Sequence, residues 1–291
     1  MAVESYPNHS VQLGNIPVAR ALPVRGRRTV GPWCFIDRFG PMSFGEEKPM
    51  DVAPHPHIGL QTVTWLLDGE ILHDDSLGCE SVARPGGVNV MTAGSGIAHA
   101  EQTPLVNSRR LDGVQLWVAL PDAHRGREAA FQAVERVPLI EQPGGVVQVF
   151  AGSLVGVSSP AVHYSGIVGA DLQVHRGETL EVGLDPFSEH ALVVLQGEAT
   201  LEGQPLAAQQ LHYLGQDRAS LHLRSETGAR VLLIGGPVFP EKVMMWWNFV
   251  ARTAEEIAAA REDWEEHRRF GAVKAYKGHR LSAPDLVRFA H

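Results

Sequence analysis

Cysteine is scarce in this 291-residue sequence, which holds only Cys34 and Cys79 and has no C-x-x-C pair. Disulfide frameworks and thiolate metal sites need more sulfur, so we expect a reduced, cytoplasmic protein. No stretch approaches the roughly 20 apolar residues of a membrane span. The first residues show neither the basic region nor the apolar run of a signal peptide. The sequence therefore predicts a protein that is neither secreted nor embedded in a membrane.

Positive charge is also in short supply. Lysine and arginine number 25 against 33 aspartates and glutamates, which gives a formal net charge of −8. Such a balance argues against direct nucleic-acid binding and suits protein contacts better. The hydrophobic share of 44% and the charged share of 20% are typical of a globular chain. The length predicts one large or two ordinary domains.

Helix signals are few before the C-terminal end, and this scarcity points to an all-β fold. Glycine (30) and proline (19) recur throughout, and the apolar runs between them are short. Examples are V-T-W-L-L at 63–67 and V-L-L-I at 231–234. Many short β-rich runs separated by turn signals indicate a sandwich or a barrel.

The single clear helix signal lies near the end of the chain. Thr253 and Glu256 have the spacing of a capping box, and Gly271 supplies a stop. We therefore predict one amphipathic helix over 253–269. The tail from 272 to 291 has no regular pattern and is expected to lie on the surface.

A weak internal repeat suggests that the β-domain is duplicated. The run T-V-T-W-L-L-D-G-E around Gly69 resembles A-L-V-V-L-Q-G-E around Gly197, 128 residues later. We therefore expect a first β-domain in 1–140, a second in 145–250, and the helix and tail in 251–291. The linker is predicted near Gln142–Gly145.

Two pairs of potential metal ligands stand at spacing i, i+2 in the first domain. They are His55 with His57, and His99 with Glu101. Residues i and i+2 of a strand point to the same face, so two adjacent strands could aim three imidazoles and one carboxylate at one point. This set suits a divalent first-row transition metal and leaves coordination positions open. Pro56 lacks an N–H, which predicts a strand start or edge here.

The second domain lacks this ligand set. Adding 128 to positions 55 and 57 leads to Gly183 and Asp185, and only His190 lies nearby. The predicted metal site therefore belongs to the first domain alone.

Three further polar or aromatic features carry weaker signals. The run His73-Asp74-Asp75 is interpreted as a turn, because aspartate favours local backbone hydrogen bonds. Gln61 follows His57 by four residues and is expected to point into the same cavity. The pair Trp246-Trp247 is interpreted as a core or domain contact.

The sequence resembles the pirins, bicupins of the cupin superfamily, nearly end to end. The matching motifs are R-R-T-V-G-P-W-C-F-I-D-R-F-G-P from 27, H-P-H-I-G-L-Q-T-V-T-W-L-L-D-G from 55, M-T-A-G-S-G-I-A-H-A-E from 91 and M-M-W-W-N-F-V from 244. The resemblance implies two stacked cupin barrels with one mononuclear iron in the first. It also implies that His55, His57, His99 and Glu101 are the ligands. Many pirins carry Glu where this chain has Gln61.

The resemblance also implies two alternative functions. The first is quercetin 2,3-dioxygenase activity, in which a flavonol chelates Fe(2+), Glu101 accepts the proton of its 3-hydroxyl, and O2 opens the ring. The second is a non-enzymatic, iron-dependent regulatory role toward a protein partner, as a transcriptional co-regulator or a regulator of a metabolic enzyme. Iron follows from the family only, because three histidines and a glutamate would also hold manganese, nickel, copper or zinc.

Overall fold

A computed structural model describes residues 3–13, 16–46 and 49–286. Within them the chain forms 25 strands and one helix, α1 (Ala254–Glu265). The expectation of an all-β fold with a single C-terminal helix is therefore confirmed.

In the first half of the chain, the first strand belongs to the second barrel and the next eleven strands form the first barrel. In chain order the strands are β1 (Glu4–Pro7), β2 (His9–Leu13), β3 (Ile16–Leu22), β4 (Trp33–Ser43), β5 (Asp51–His57), β6 (Leu60–Gly69), β7 (Ile71–Asp75), β8 (Glu80–Ala83), β9 (Val88–Thr92), β10 (Ile97–Gln102), β11 (Arg110–Ala119) and β12 (Ala130–Val134). A seven-stranded sheet runs in the order β12-β9-β6-β11-β4-β3-β2, and a four-stranded sheet in the order β5-β10-β7-β8. All their pairings are antiparallel, so each strand can turn one face to the barrel interior.

The second half repeats this arrangement. Its strands are β13 (Leu139–Gln142), β14 (Gly145–Leu154), β15 (Val157–Ser158), β16 (Val168–Val174), β17 (Glu178–Gly183), β18 (Glu189–Gly197), β19 (Ala199–Leu201), β20 (Gln204–Leu206), β21 (Gln210–Gly215), β22 (Ser220–Ser225), β23 (Ala229–Gly236), β24 (Met244–Trp246) and β25 (Phe249–Ala251). The large sheet follows the order β1-β21-β18-β23-β16-β14-β13, with β15 beside β14, and the small sheet follows β17-β22-β19-β20. The last two strands form a separate hairpin.

The chain connects the two barrels in two places, before the first strand of the first barrel and after its last strand. Strand β1 pairs with β21, so residues 4–7 complete the large sheet of the second barrel. The stretch Gln142–Gly145, expected to be the linker, instead closes the β13–β14 hairpin, with Pro143 and Gly144 in the turn. The chain passes from one large sheet to the other over residues 135–138.

The two large sheets share a hydrophobic core. One cluster of buried residues contains side chains of both, including Trp33, Trp65, Phe150 and Val193. The indole Nε1 of Trp65 donates to Asp171 Oδ2 at 2.9 Å, which adds a polar contact between the barrels. A large apolar contact of this kind stabilises the stacked arrangement, because apolar area is removed from water on both partners.

Helix α1 is shorter than predicted. Thr253 is its N-cap and accepts a hydrogen bond from the Glu256 backbone N–H at 3.2 Å, as the capping signal indicated. The predicted end at 269 is wrong, because the helix ends at Glu265 and His267 and Arg269 adopt left-handed φ values of 57° and 66°. None of the helices described is long and apolar enough to cross a membrane.

The C-terminal tail is irregular, but only partly a surface segment. Val273 and Ala283 are buried beside α1. The Leu281 backbone N–H donates to Pro54 O at 2.9 Å, and its carbonyl accepts from Trp264 Nε1 at 2.8 Å. The tail is therefore packed between the helix and β5. Residues 287–291 of the expected tail lie outside the described residues.

Candidate metal centre

Adjacent strands bring three histidines together inside the first barrel. His55 and His57 lie at the end of β5, and His99 lies on β10 directly opposite His55. All three are buried, and one ring nitrogen from each lies within 4.8 Å of those of the others. The i, i+2 spacing thus produces the convergence that the sequence suggested.

Pro56 lies on an edge strand, as predicted. β5 is the edge strand of the small sheet, and a residue without an N–H is tolerated at such an edge. A bulge lies between the His55–His99 pair and the Val52–Glu101 pair. Such a bulge bends the strand and changes where its side chains point.

Backbone carbonyls orient two of the three imidazoles. His57 Nδ1 lies 3.0 Å from Asn248 O, and His55 Nδ1 lies 2.9 Å from Ala53 O. A carbonyl can only accept, so each Nδ1 must carry the proton and each Nε2 is left with a free lone pair. Asn248 reaches this position in the tight β24–β25 turn, where Trp247 has a left-handed φ of 51°. Strained backbone of this kind is often found at functional sites.

A chain of polar contacts orients the third imidazole. His73 Nε2 lies 3.2 Å from Asp75 Oδ2, and His73 Nδ1 lies 3.3 Å from His99 Nδ1. The two Nδ1 atoms share one proton in this contact. When His99 Nδ1 is the donor, its Nε2 is left with a free lone pair. The His73 ring is stacked on Phe131 at a centroid distance of 4.3 Å, which fixes its plane.

The interpretation of His73-Asp74-Asp75 as a turn is wrong. These residues end strand β7, and all three are buried. Asp75 does accept the backbone N–H groups of Leu77 and Cys79, so the turn begins there. The sequence offered a usable signal, since His73 and Asp75 also have i, i+2 spacing, but their pairing with β10 is a long-range contact.

The donor set fits a divalent metal ion. His57 Nε2 and His99 Nε2 lie 3.0 Å apart, close enough for both nitrogens to hold one ion. Burial lowers the pKa of His55 to about 4 and that of His57 and His99 well below the usual range. The imidazoles are therefore neutral, which is the form that binds metals.

Glu101 lines the same cavity two residues beyond His99. It is buried on β10, opposite His73, but stands outside the group of three closely spaced nitrogens. Burial raises the pKa of its carboxyl, and the nearby His73 opposes this effect. The carboxyl group of Glu101 therefore lines the metal cavity but lies farther from at least one of the three imidazole nitrogens than they lie from one another.

The cavity around the histidines measures about 520 Å³ and has aromatic walls. The rings of Phe35 and Trp117 are stacked at a centroid distance of 3.9 Å. Arg20 lies over Phe35 at 4.4 Å and forms an ion pair with Asp37 at 2.7 Å. Trp247 also lines this space, so the expectation of a mere core contact for this residue was too narrow.

Gln61 does not point into this cavity, contrary to the expectation. It is fully buried, and its Nε2 donates to Thr92 Oγ1 and to Val162 O, both at 3.0 Å. Its Oε1 lies 3.1 Å from His163 Nδ1. Gln61 therefore ties the first barrel to the 159–167 loop. The difference in direction arises because residue 61 lies on β6 of the large sheet, whereas His57 ends β5 of the small sheet.

Two tandem cupin barrels, with a histidine triad able to hold a metal in the first, define the class of a bicupin metalloprotein. The Pirin family model matches residues 15–118, and the model of the Pirin C-terminal cupin domain matches 169–271. The chain belongs to the pirin family.

Relatives and solved structures agree with this assignment. A Pseudomonas aeruginosa protein named "Putative quercetin 2,3-dioxygenase" is 46% identical over 274 residues, which cover 94% of this chain and 87% of the relative. A "Pirin-like protein" of Caulobacter vibrioides is 36% identical and covers 94% of this chain and 92% of its own length. The crystal structure of a quercetin 2,3-dioxygenase from Acinetobacter baumannii has a TM-score of 0.96 at 38% identity, with 99% of this chain and 97% of that chain covered.

Proposed function

We propose that this pirin is a metal-dependent dioxygenase that cleaves flavonols such as quercetin. The observation that carries the proposal is the convergence of three neutral imidazoles in a cavity with aromatic walls. The names of the similar Pseudomonas and Acinetobacter proteins support the same activity. In this proposal His55, His57 and His99 hold the metal and Glu101 completes the set, with Fe(2+) as the expected ion.

The cavity walls suit a flat, hydroxylated aromatic molecule. The stacked Phe35 and Trp117 offer an apolar surface on one side, and Trp247 lies in the same lining. Ring stacking of this type contributes about 0.5–1.5 kcal/mol beyond area burial. Arg20 lies over Phe35, lines the cavity and is partly exposed, so its guanidinium can meet a phenolic oxygen of the substrate.

The protein's own residues orient the substrate and take its proton. A bound divalent ion supplies Lewis acidity, which favours ionisation of a hydroxyl group that chelates it. Glu101 shares the cavity wall with His99, so its carboxylate is the group placed to accept that proton. A positioned base of this kind typically contributes ~10²–10⁴-fold to the rate. The flavonolate then reacts with O2, and the ring opens with release of carbon monoxide.

The His73–Asp75 pair would act only on His99 and not on the substrate. It holds His99 in the tautomer that leaves Nε2 free, and it does not line the cavity. We therefore infer a positioning role for His73. The two cysteines are free thiols, which supports a cytoplasmic location.

Oxygen uptake with quercetin tests the proposed activity. Protein loaded separately with Fe(2+), Mn, Ni, Cu or Zn should consume O2 with at least one of these ions and release carbon monoxide in equal amount. Metal-replete protein that consumes no oxygen with any of them would overturn the proposal. That outcome would favour the alternative, an iron-dependent regulatory protein whose partner contacts change with the metal.

A further inference from the structure

A second cavity, separate from the histidine triad, opens at the end of the second barrel. It measures about 690 Å³ and lies between the end of β14, the 159–167 loop, the turn before β18 and the end of β23. None of its lining residues lines the metal cavity.

Two polar atoms of its lining, His163 Nε2 and Ser165 Oγ, are buried and have no hydrogen-bond partner among the described residues. His190 lines the same cavity, is only 1% exposed and interacts with the Ser188 backbone. A buried polar atom without a partner destabilises the fold, so water or a bound molecule has to supply the partners of these two atoms.

The hydrogen-bond network fixes which kind of group His163 requires. Val162 O can only accept, so the Gln61 amide must direct its NH2 at that carbonyl and its oxygen at His163. His163 Nδ1 must then donate, which leaves Nε2 as a bare acceptor. A group that satisfies this nitrogen must carry an O–H or N–H donor.

The charge and polarity of the lining limit the class of molecule that this cavity can bind. Among the described residues that line the cavity, Asp185 is the only one with a carboxylate, and none is a lysine or an arginine. A cavity without a cation disfavours carboxylates and phosphates, because a buried anion would remain unpaired. The rim is apolar and exposed, since Phe187 is 80% exposed and Val162 is 48% exposed. An aromatic ring on Phe187 would shield both apolar side chains from water.

We propose that this second cavity binds a neutral, hydroxylated aromatic molecule of the phenol class. One hydroxyl donates to His163 Nε2, a second meets Ser165 Oγ, and the ring packs against Phe187. The site is independent of the metal and therefore of the proposed dioxygenase activity.

Resorcinol is a suitable probe, because its two hydroxyls are too far apart to chelate one ion. The full-length His57→Ala variant, with the metal centre disabled, would be titrated with resorcinol and followed through the imidazole nitrogen signals of ¹⁵N-labelled histidine. His163→Gln assigns the His163 signal. Saturable shifts at His163 and His190 are expected, and benzoate should bind at least tenfold more weakly.

Two variants of the cavity itself test the contacts. Ser165→Ala and Phe187→Ala should each weaken resorcinol binding by roughly fivefold, the equivalent of about one hydrogen bond or ring contact. His222→Gln, on the exposed face of β22 in the same barrel, is the matched control and should bind normally. Ser165→Ala should not lower the midpoint of thermal unfolding, because the hydroxyl that it removes has no partner.

Several results would overturn the proposal. The first is the absence of a saturable shift at both histidines. The second is equal binding of benzoate, which would mean that the cavity does not select neutral phenols. The third is unchanged affinity in both cavity variants. A lower unfolding midpoint of Ser165→Ala without weaker binding would assign that hydroxyl a structural role only.

Discussion

The two barrels share one strand arrangement but fill their interiors with different chemistry. In the small sheet of the first, β5 pairs with β10, and His55 lies opposite His99. In the small sheet of the second, β17 pairs with β22, and the fully buried Val182 lies opposite Leu221. The same pair of strands therefore presents imidazoles in one barrel and aliphatic side chains in the other.

This difference shows that the imidazoles are not needed to build the barrel. The interior of the second barrel is a continuous aliphatic cluster that includes Leu180, Leu223 and Leu233. Burial of such side chains stabilises a fold, whereas buried imidazoles need partners to offset their lost hydration. The first barrel supplies these partners at every Nδ1 of the triad, which is the arrangement expected where function outweighs stability.

Removal of one histidine of the triad should have the largest effect on the metal-binding capacity that distinguishes the first barrel from the second. We expect His57→Ala to lose its bound metal and all metal-dependent turnover, because two nitrogens cannot replace three. Elemental analysis of the purified variant measures the metal. His222→Ala, which removes an exposed histidine of the second barrel, is the control and should keep full occupancy. Full occupancy of His57→Ala would contradict the ligand assignment.

Glu101→Gln should separate metal binding from proton transfer. The amide keeps the size of the side chain but cannot accept the substrate proton, so turnover should fall by ~10²–10⁴-fold. The three histidines remain, and we expect the variant to retain some metal. The measurement is the rate of oxygen uptake per bound metal ion. An unchanged rate in metal-replete protein would exclude Glu101 as the base.

His73→Phe should have a smaller effect, because this residue acts through His99. The substitution keeps the ring that stacks on Phe131 but removes the acceptor for His99 Nδ1. Loss of such an outer partner typically weakens metal affinity by ~10–100-fold. Competition with a chelator measures this loss. If affinity is unaffected while the unfolding midpoint falls, His73 serves only to pack the barrel.

The fold was largely predictable, because it depends on local patterns. Short β-rich runs, the repeat around Gly69 and Gly197 and the Thr253 cap all report on nearby residues. The triad was also predictable, since alternation along a strand places His55 and His57 on one face. The predicted helix was too long, because no residue pattern in the sequence indicates the left-handed backbone at His267 that follows the end of α1.

The contacts that the sequence did not reveal are long-range ones. The carbonyl that orients His57 comes from Asn248, 191 residues later, and Leu281 of the tail reaches the cavity wall. The role of His73 required knowledge that β7 pairs with β10. Gln61 does not line the metal cavity because the chain changes sheet between His57 on β5 and residue 61 on β6.

Gln61→Glu should have the smallest effect on the metal centre, because residue 61 contacts the second barrel and not the metal-binding histidines. A carboxylate there cannot donate to Val162 O, so this acceptor loses its donor, whereas the Thr92 hydroxyl can turn and donate to the carboxylate. The free energy of unfolding should fall by about 1–3 kcal/mol, as measured by denaturant titration. Turnover per bound metal should stay unchanged, since the side chain does not line the metal cavity. A change in turnover of tenfold or more, at equal metal occupancy, would show that this position acts on the first barrel's chemistry after all.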